Sequence, residues 1–428
     1  MTFKRISLIT LLIVAAVLLT IGLIQPQGEE PVEIGTGLRV VVIGVDGLDW
    51  FLLARYAEAG RLPTIGKLLM ASVTGELHPE LPTLPEVSWP ALAAGIPVVP
   101  TGSPGRPVRR FGVVPRIADV VSESGGSVLV VGWPASWPAA DRDYAIVAGF
   151  APQASEHVNE LAPAVFPDGP GHASRPQLAE EISEVAQAAA NRADEMFSEI
   201  IDLKTADADG WEDHLAAARW SHLSDLTMLD IGARLISAEE PDLAMIHLPG
   251  LDAVSHRFLA PAAPGFFSEL PDEALRFGEI LPRYYEFIDR AVTRILRLTD
   301  DETVVVLCST YGISPSLDVT RISGAHEGGP PGVLIVKGPR ISPLPDPIAV
   351  TSNDVAPTIL AILGVEIPDD IDGRVVLEVL PAGLAKEHPP EFGPAPEVDR
   401  GTDVEPPSLA AAREAAASRL QSLRSTID

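Results

Sequence analysis

Apolar runs of strand length alternate with stretches of helical periodicity along most of the chain. Leu38–Val45, LRVVVIGV, is apolar but for Arg39 and stops at Asp46-Gly47. A run without polar alternation marks a strand buried on both faces, as in a parallel sheet. Ser127–Gly132, Leu243–Leu248, Thr303–Leu307 and Gly332–Lys337 are of the same kind. Between them, Leu52–Ala71 carries helical spacing broken at Gly60 and restarted by Pro63. Gln177–Leu203 reads as an acidic helix and Trp211–Glu239 as a long amphipathic one. Ala274–Leu298 is helical, with Pro282 kinking the helix or marking its start. Thr351–Leu363 is opened by Thr351 or Ser352, with Asp354 in the first turn. Strands alternating with helices predict a three-layer α/β domain with a mostly parallel central sheet.

The chain ends read differently. Lys4-Arg5 precede Ile6–Ile24, nineteen residues without a charge, enough for about 28 Å of helix and a bilayer crossing. The apolar core is long and no small-x-small cleavage site follows it, which favours an uncleaved signal anchor over a cleaved signal peptide. Basic residues before the span and Glu29-Glu30 after it place the main domain outside the cytoplasm. The expected organisation is a membrane anchor over 1–28, a linker over 29–37 and a domain over 38–380 with an inserted cap at about 151–209. A Pro/Glu/Ala-rich mobile tail is expected over 381–428.

Composition narrows the partners. With 59 acidic against 31 basic residues and a net charge of −28, nucleic acid is excluded as an expected partner. The single Cys308 cannot form an intramolecular disulfide and lies in an apolar run, as a buried structural thiol does.

Candidate chemistry gathers where strands end. After Leu243–Leu248 and the Pro249-Gly250 turn come Asp252 and His256, whose spacing of four puts both on one helical face. A carboxylate and an imidazole that converge suit a zinc-like or manganese-like cation. Asp46 emerges at the end of the first strand, as a ligand or as part of a plain Asp-Gly turn. Ser88, before Trp89-Pro90, reads as a helix N-cap, a position at which a hydroxyl would also suit attack on a phosphate.

Seven stretches in order, VVVIGVDG, SWPALAAG, VLVVGWPASWPA, LPGLDAVSH, TVVVLCSTYG, SGAHEGGPPGVLIVKGP and NDVAPTILAILG, resemble the type I phosphodiesterase/nucleotide pyrophosphatase family of the alkaline phosphatase superfamily. The resemblance runs from about Leu38 to Leu377. It implies an alkaline-phosphatase-like fold and a metal-dependent phosphoester hydrolase with two ions and a Ser or Thr nucleophile. One ion would be held by Asp252, His256 and His326, and zinc is the expected divalent metal. The second would be held by Asp46, the nucleophile and an adjacent Asp-His pair, but Thr310-Tyr311 stand where the pair belongs. Without a gap the nucleophile position falls on Pro85; a three-residue deletion places Ser88 there, and Thr83 is a third candidate. The sulfatase C/S-x-P-x-R signature is absent, since Leu92 stands where its arginine would.

The reading is a membrane-anchored, extracytoplasmic member of this family with lost or altered hydrolase activity, acting on a phosphorylated small molecule or envelope glycan. A catalytically inactive binding scaffold and a transferase of a phosphoryl-linked group are the alternatives.

Overall fold

The structure, a computed structural model, describes residues 34–396 except 80–82, 98–115, 135, 137, 138, 140, 141, 149–171, 202–209, 268, 269, 271, 317–322 and 327. Ile6–Ile24, much of the expected cap, Trp137 and the segment from 397 onward therefore lie outside the described residues. Among the described residues no helix is long and apolar enough to cross a membrane.

The runs without polar alternation become the middle of an eight-stranded sheet. Its strands are β1 (Arg39–Val45), β2 (Val73–His78), β3 (Val128–Val131), β4 (Ala145–Val147), β5 (Leu243–Leu248), β6 (Thr303–Cys308), β7 (Gly332–Lys337) and β8 (Ile348–Thr351). They are ordered β8-β2-β7-β6-β1-β5-β3-β4. All neighbours are parallel except β7, which runs antiparallel to both β2 and β6. The sequence pattern misses β2, β4 and β8, which lie towards the margins of the sheet.

Each face of the sheet carries its own core, which gives the three layers. Val41, Ile43 and Val45 of β1 join one core; Val40 and Val42, pointing the other way, join the second. The first is covered by α1 (Trp50–Glu58), α2 (Pro63–Ala71), α6 (Glu212–Glu239), α7 (Gly250–Ala262) and α8 (Ile280–Leu296). On the opposite face lie α3 (Pro85–Ala94), α4 (Arg116–Glu123) and α9 (Val355–Leu363). The remaining long helix, α5 (Pro176–Phe197), packs beside α6.

Two local expectations are corrected, and one open alternative is settled. Ser88 is not an N-cap: α3 begins at Pro85, whose fixed φ suits the first helical position, and Ser88 lies inside the helix, fully buried. Pro282 marks a start rather than a kink, in the first turn of α8. The middle of helix α6 is buried all round rather than amphipathic, since every residue from Leu226 to Ala233 is buried. Its polar residues are tied down: Asp230 pairs with Arg192 and Arg294, and Asp225 accepts from the Gly250 amide at 2.8 Å and the Tyr284 hydroxyl at 2.9 Å.

Ordered pairing also continues past Leu380, the expected domain boundary. Phe392–Gly393 pairs with Ile367–Pro368, and Leu384 is buried in the second core.

Candidate metal centre

The site lies at the C-terminal ends of β1, β5 and β6, where open α/β sheets collect ligands. The β5–α7 turn is tight: Asp225 holds the Gly250 amide, and any side chain at Gly250 would collide with the Tyr284 hydroxyl and the Asp225 carboxylate. Asp252 and His256 follow on one face of α7, as their spacing predicts. His326, after the hairpin strand at Gly324–Ala325, completes the group.

The three converge closely. Asp252 Oδ1 lies 2.8 Å from His326 Nε2, His256 Nε2 lies 2.9 Å from His326 Nε2, and His256 Nε2 lies 3.4 Å from Asp252 Oδ2. Their ligand atoms all fall within 4.8 Å of one another. The Gly324 carbonyl, 2.6 Å from His256 Nδ1, accepts the proton there and leaves Nε2 turned toward the group. Two imidazoles and a carboxylate aimed at one point are the donor set a zinc-like ion takes.

Charges within the group lean on one another. Burial raises Asp252, but the two histidines outweigh it and hold the carboxyl well below the usual carboxylate range. Burial works against a charged His256, but the Asp252 carboxylate and the Gly324 carbonyl win and push it up to about 9. A proton and a cation would thus compete for one carboxylate-lined place, and metal uptake there would release the proton.

Asp46 stands apart from this trio. The turn that carries it passes so close to α7 that a Cβ at Gly47, which has φ +69°, would sit 2.8 Å from Asp252 Cα. Trp89 Nε1 donates to Asp46 Oδ1 at 2.9 Å, and that indole and the Tyr311 phenol both pull the carboxyl's pKa down. Burial and the nearby Asp252 charge nevertheless win, and Asp46 is pushed up to about 7. Below it, Trp89 packs edge-on against Trp133 and His247, with ring centroids 5.3 and 4.6 Å away. Burial drives His247 down to about 3, so the ring is neutral where it packs against the two indoles.

The nucleophile candidates divide. The Ser88 hydroxyl is enclosed and has no hydrogen-bond partner among the described residues. Pro85 occupies the first position of α3, one turn before Trp89, and Thr83 is half-buried just ahead of the helix. Thr310 and Tyr311, in place of the expected Asp-His pair, are both buried, and the Tyr311 ring lies 4.4 Å from that of His326.

The family model for type I phosphodiesterase/nucleotide pyrophosphatase matches residues 105–338, more than half of the chain. The chain belongs to this family. Among solved structures, this phosphodiesterase-family chain is similar to the alkaline phosphatase PafA, with 11% identity, 80% of this chain and 98% of that one covered, and a TM-score of 0.49. It is similar also to the phosphonate monoester hydrolase SpPMH from Silicibacter pomeroyi (18%, 79% and 76%, TM-score 0.39). A 2-O GAG sulfatase is another such structure (13%, 80% and 74%, TM-score 0.45). No curated protein matches the chain.

Sequence reading missed Asp225, because a carboxylate in mid-helix shows nothing of the distant amide it will hold. Burial pushes Asp225 up to about 7 against the Gly250 and Tyr284 hydrogen bonds that pull it down. The folded state therefore binds more protons than the unfolded chain between its ordinary value of 3.8 and about 7. Its contribution to stability is present at low pH and is lost as pH rises to 7, by on the order of 4 kcal/mol at most. Asp225→Asn should gain on the wild type over that interval and hold the gain above it. Urea unfolding at pH 4 and pH 8 checks this; equal differences at both values would refute it.

Proposed function

We propose that the protein is a membrane-anchored, extracytoplasmic phosphoester hydrolase of altered mechanism, centred on one divalent ion held by Asp252, His256 and His326. The convergence of those three side chains carries the reading. An ion bound there supplies a Lewis acid toward a phosphoryl oxygen.

The chain's own residues do the rest. Asp252 supplies the charge, Gly324 orients His256, and Asp46 can hold or release a proton near neutral pH, as a general acid or base must. The enclosed Ser88 has no such role. A phosphorylated small molecule or an envelope glycan is the substrate class proposed, with Ile6–Ile24 as the anchor that keeps the domain at the membrane surface.

The test is hydrolysis of bis(p-nitrophenyl) phosphate by the full-length chain in detergent, with zinc and then with a chelator. Hydrolysis should require the ion, survive Ser88→Ala and fall at least 100-fold in Asp46→Asn, the scale of a lost general acid–base group. Loss of turnover in Ser88→Ala would refute the mechanism. Pro85 at the start of α3 and Tyr311 beside His326 favour one other reading, a binding scaffold. It would appear as zinc-dependent binding of the diester without turnover.

A further inference from the structure

The family's second ion has no evident place here, and the reason is a single side chain. Tyr311 is buried, and its ring lies 4.4 Å from that of His326, tilted by 44°. It follows β6, the strand paired with β1, at whose end lies Asp46, the carboxyl expected to take the second ion. Asp46 itself accepts from the Trp89 indole at 2.9 Å. A phenol of ordinary pKa near 10 brings no charge to a cation at neutral pH, and Thr310 brings none either. One carboxyl, already engaged by the Trp89 indole, is all that remains of that ligand set.

The tyrosine is held in place from both sides. Ser309 Oγ donates to the Tyr311 carbonyl at 3.0 Å and accepts from the Leu48 amide at 3.1 Å, tying the end of β6 to the turn after β1. On the far side Asp49 accepts from the Ile313 amide at 3.3 Å, and at Gly312 a Cβ would come within 2.5 Å of Asp49 Oδ2. Loop and ring are therefore fixed without any ion.

We propose that Tyr311 takes the place of the second cation, so that the centre is mononuclear and Asp46 is a hydrogen-bonded carboxyl rather than a ligand. This rests on the ion-binding reading of Asp252, His256 and His326. The phenol trades a charge for a neutral donor and seals the far side of the one-ion site.

Zinc per chain, measured by elemental analysis of the full-length protein after removal of free metal, tests it without any assay of activity. The wild type should hold one ion, Tyr311→Phe one, and the double variant T310D/Y311H two. Should the double variant fail to fold, Tyr311→His alone should take a second, weaker ion. Two ions in the wild type overturn the inference and leave the ion-binding reading standing. No ion in the wild type overturns both. One ion in a folded histidine variant overturns the assignment to Tyr311, since something else would then exclude the second cation.

Discussion

Replacing Asp252 by alanine is expected to abolish zinc retention, with affinity falling by more than the 10–100-fold that loss of an outer hydrogen-bond partner of a ligand costs. Asp252 is the only anionic donor in a trio otherwise made of imidazoles, and both histidines lean on it, at 2.8 and 3.4 Å. Its removal also takes away what pushes His256 up to about 9, so the histidines alone must compete with water for the ion. Isothermal titration with zinc reads the loss. A thermal scan reads it independently: an ion at about 100 times its dissociation constant adds about 2.7 kcal/mol to stability, and the variant should show no such gain. Asp252→Asn, similar in shape but uncharged, should behave like the alanine. Full retention of zinc in either variant would dissolve the proposed centre.

Loss of Trp89 should be the costliest single change to the fold near the site. The indole is fully buried between Trp133, His247 and the backbone at Gly44, where a Cβ would come within 2.8 Å of the ring. Trp89→Ala should cost about 3–5 kcal/mol through lost packing and the cavity left behind. Trp89→Phe keeps most of the packing and removes the donor to Asp46, so it should cost about 1–3 kcal/mol, the penalty for an unsatisfied buried group. Urea unfolding separates the two. A Phe variant as unstable as the Ala variant would mean that the hydrogen bond, not the packing, dominates.

The core of the fold could be read because its signals are local. Runs such as VVVIGV and LAMIHL need burial on both faces, and they became the adjacent strands β1 and β5. The marginal strands hid because Thr74, Glu76 and His78 interrupt the apolar pattern of β2. Asp252 and His256 were legible from a spacing of four on one helix. His326 came only with the family resemblance, because its partners are brought to it by tertiary structure. Ser88 misled because a serine ahead of Trp-Pro looks like a cap, whereas Pro85 had already started the helix. The interior polar residues of α6 were not legible, since nothing nearby in sequence announces Gly250, Arg192 or Arg294 as their partners.

Asp49 has a consequence for how the site breathes. Its carboxylate caps α1 at the Leu52 amide, 2.8 Å away, and with its other oxygen holds the Ile313 amide beyond β6. These two amides, far apart in the chain, share one acceptor. Solvent can reach them together only when that carboxylate lets go, and local openings of this kind set hydrogen-exchange rates. The turn bearing Asp46 and the loop bearing Tyr311 are therefore expected to open together, so that a ligand that orders one slows hydrogen exchange in both.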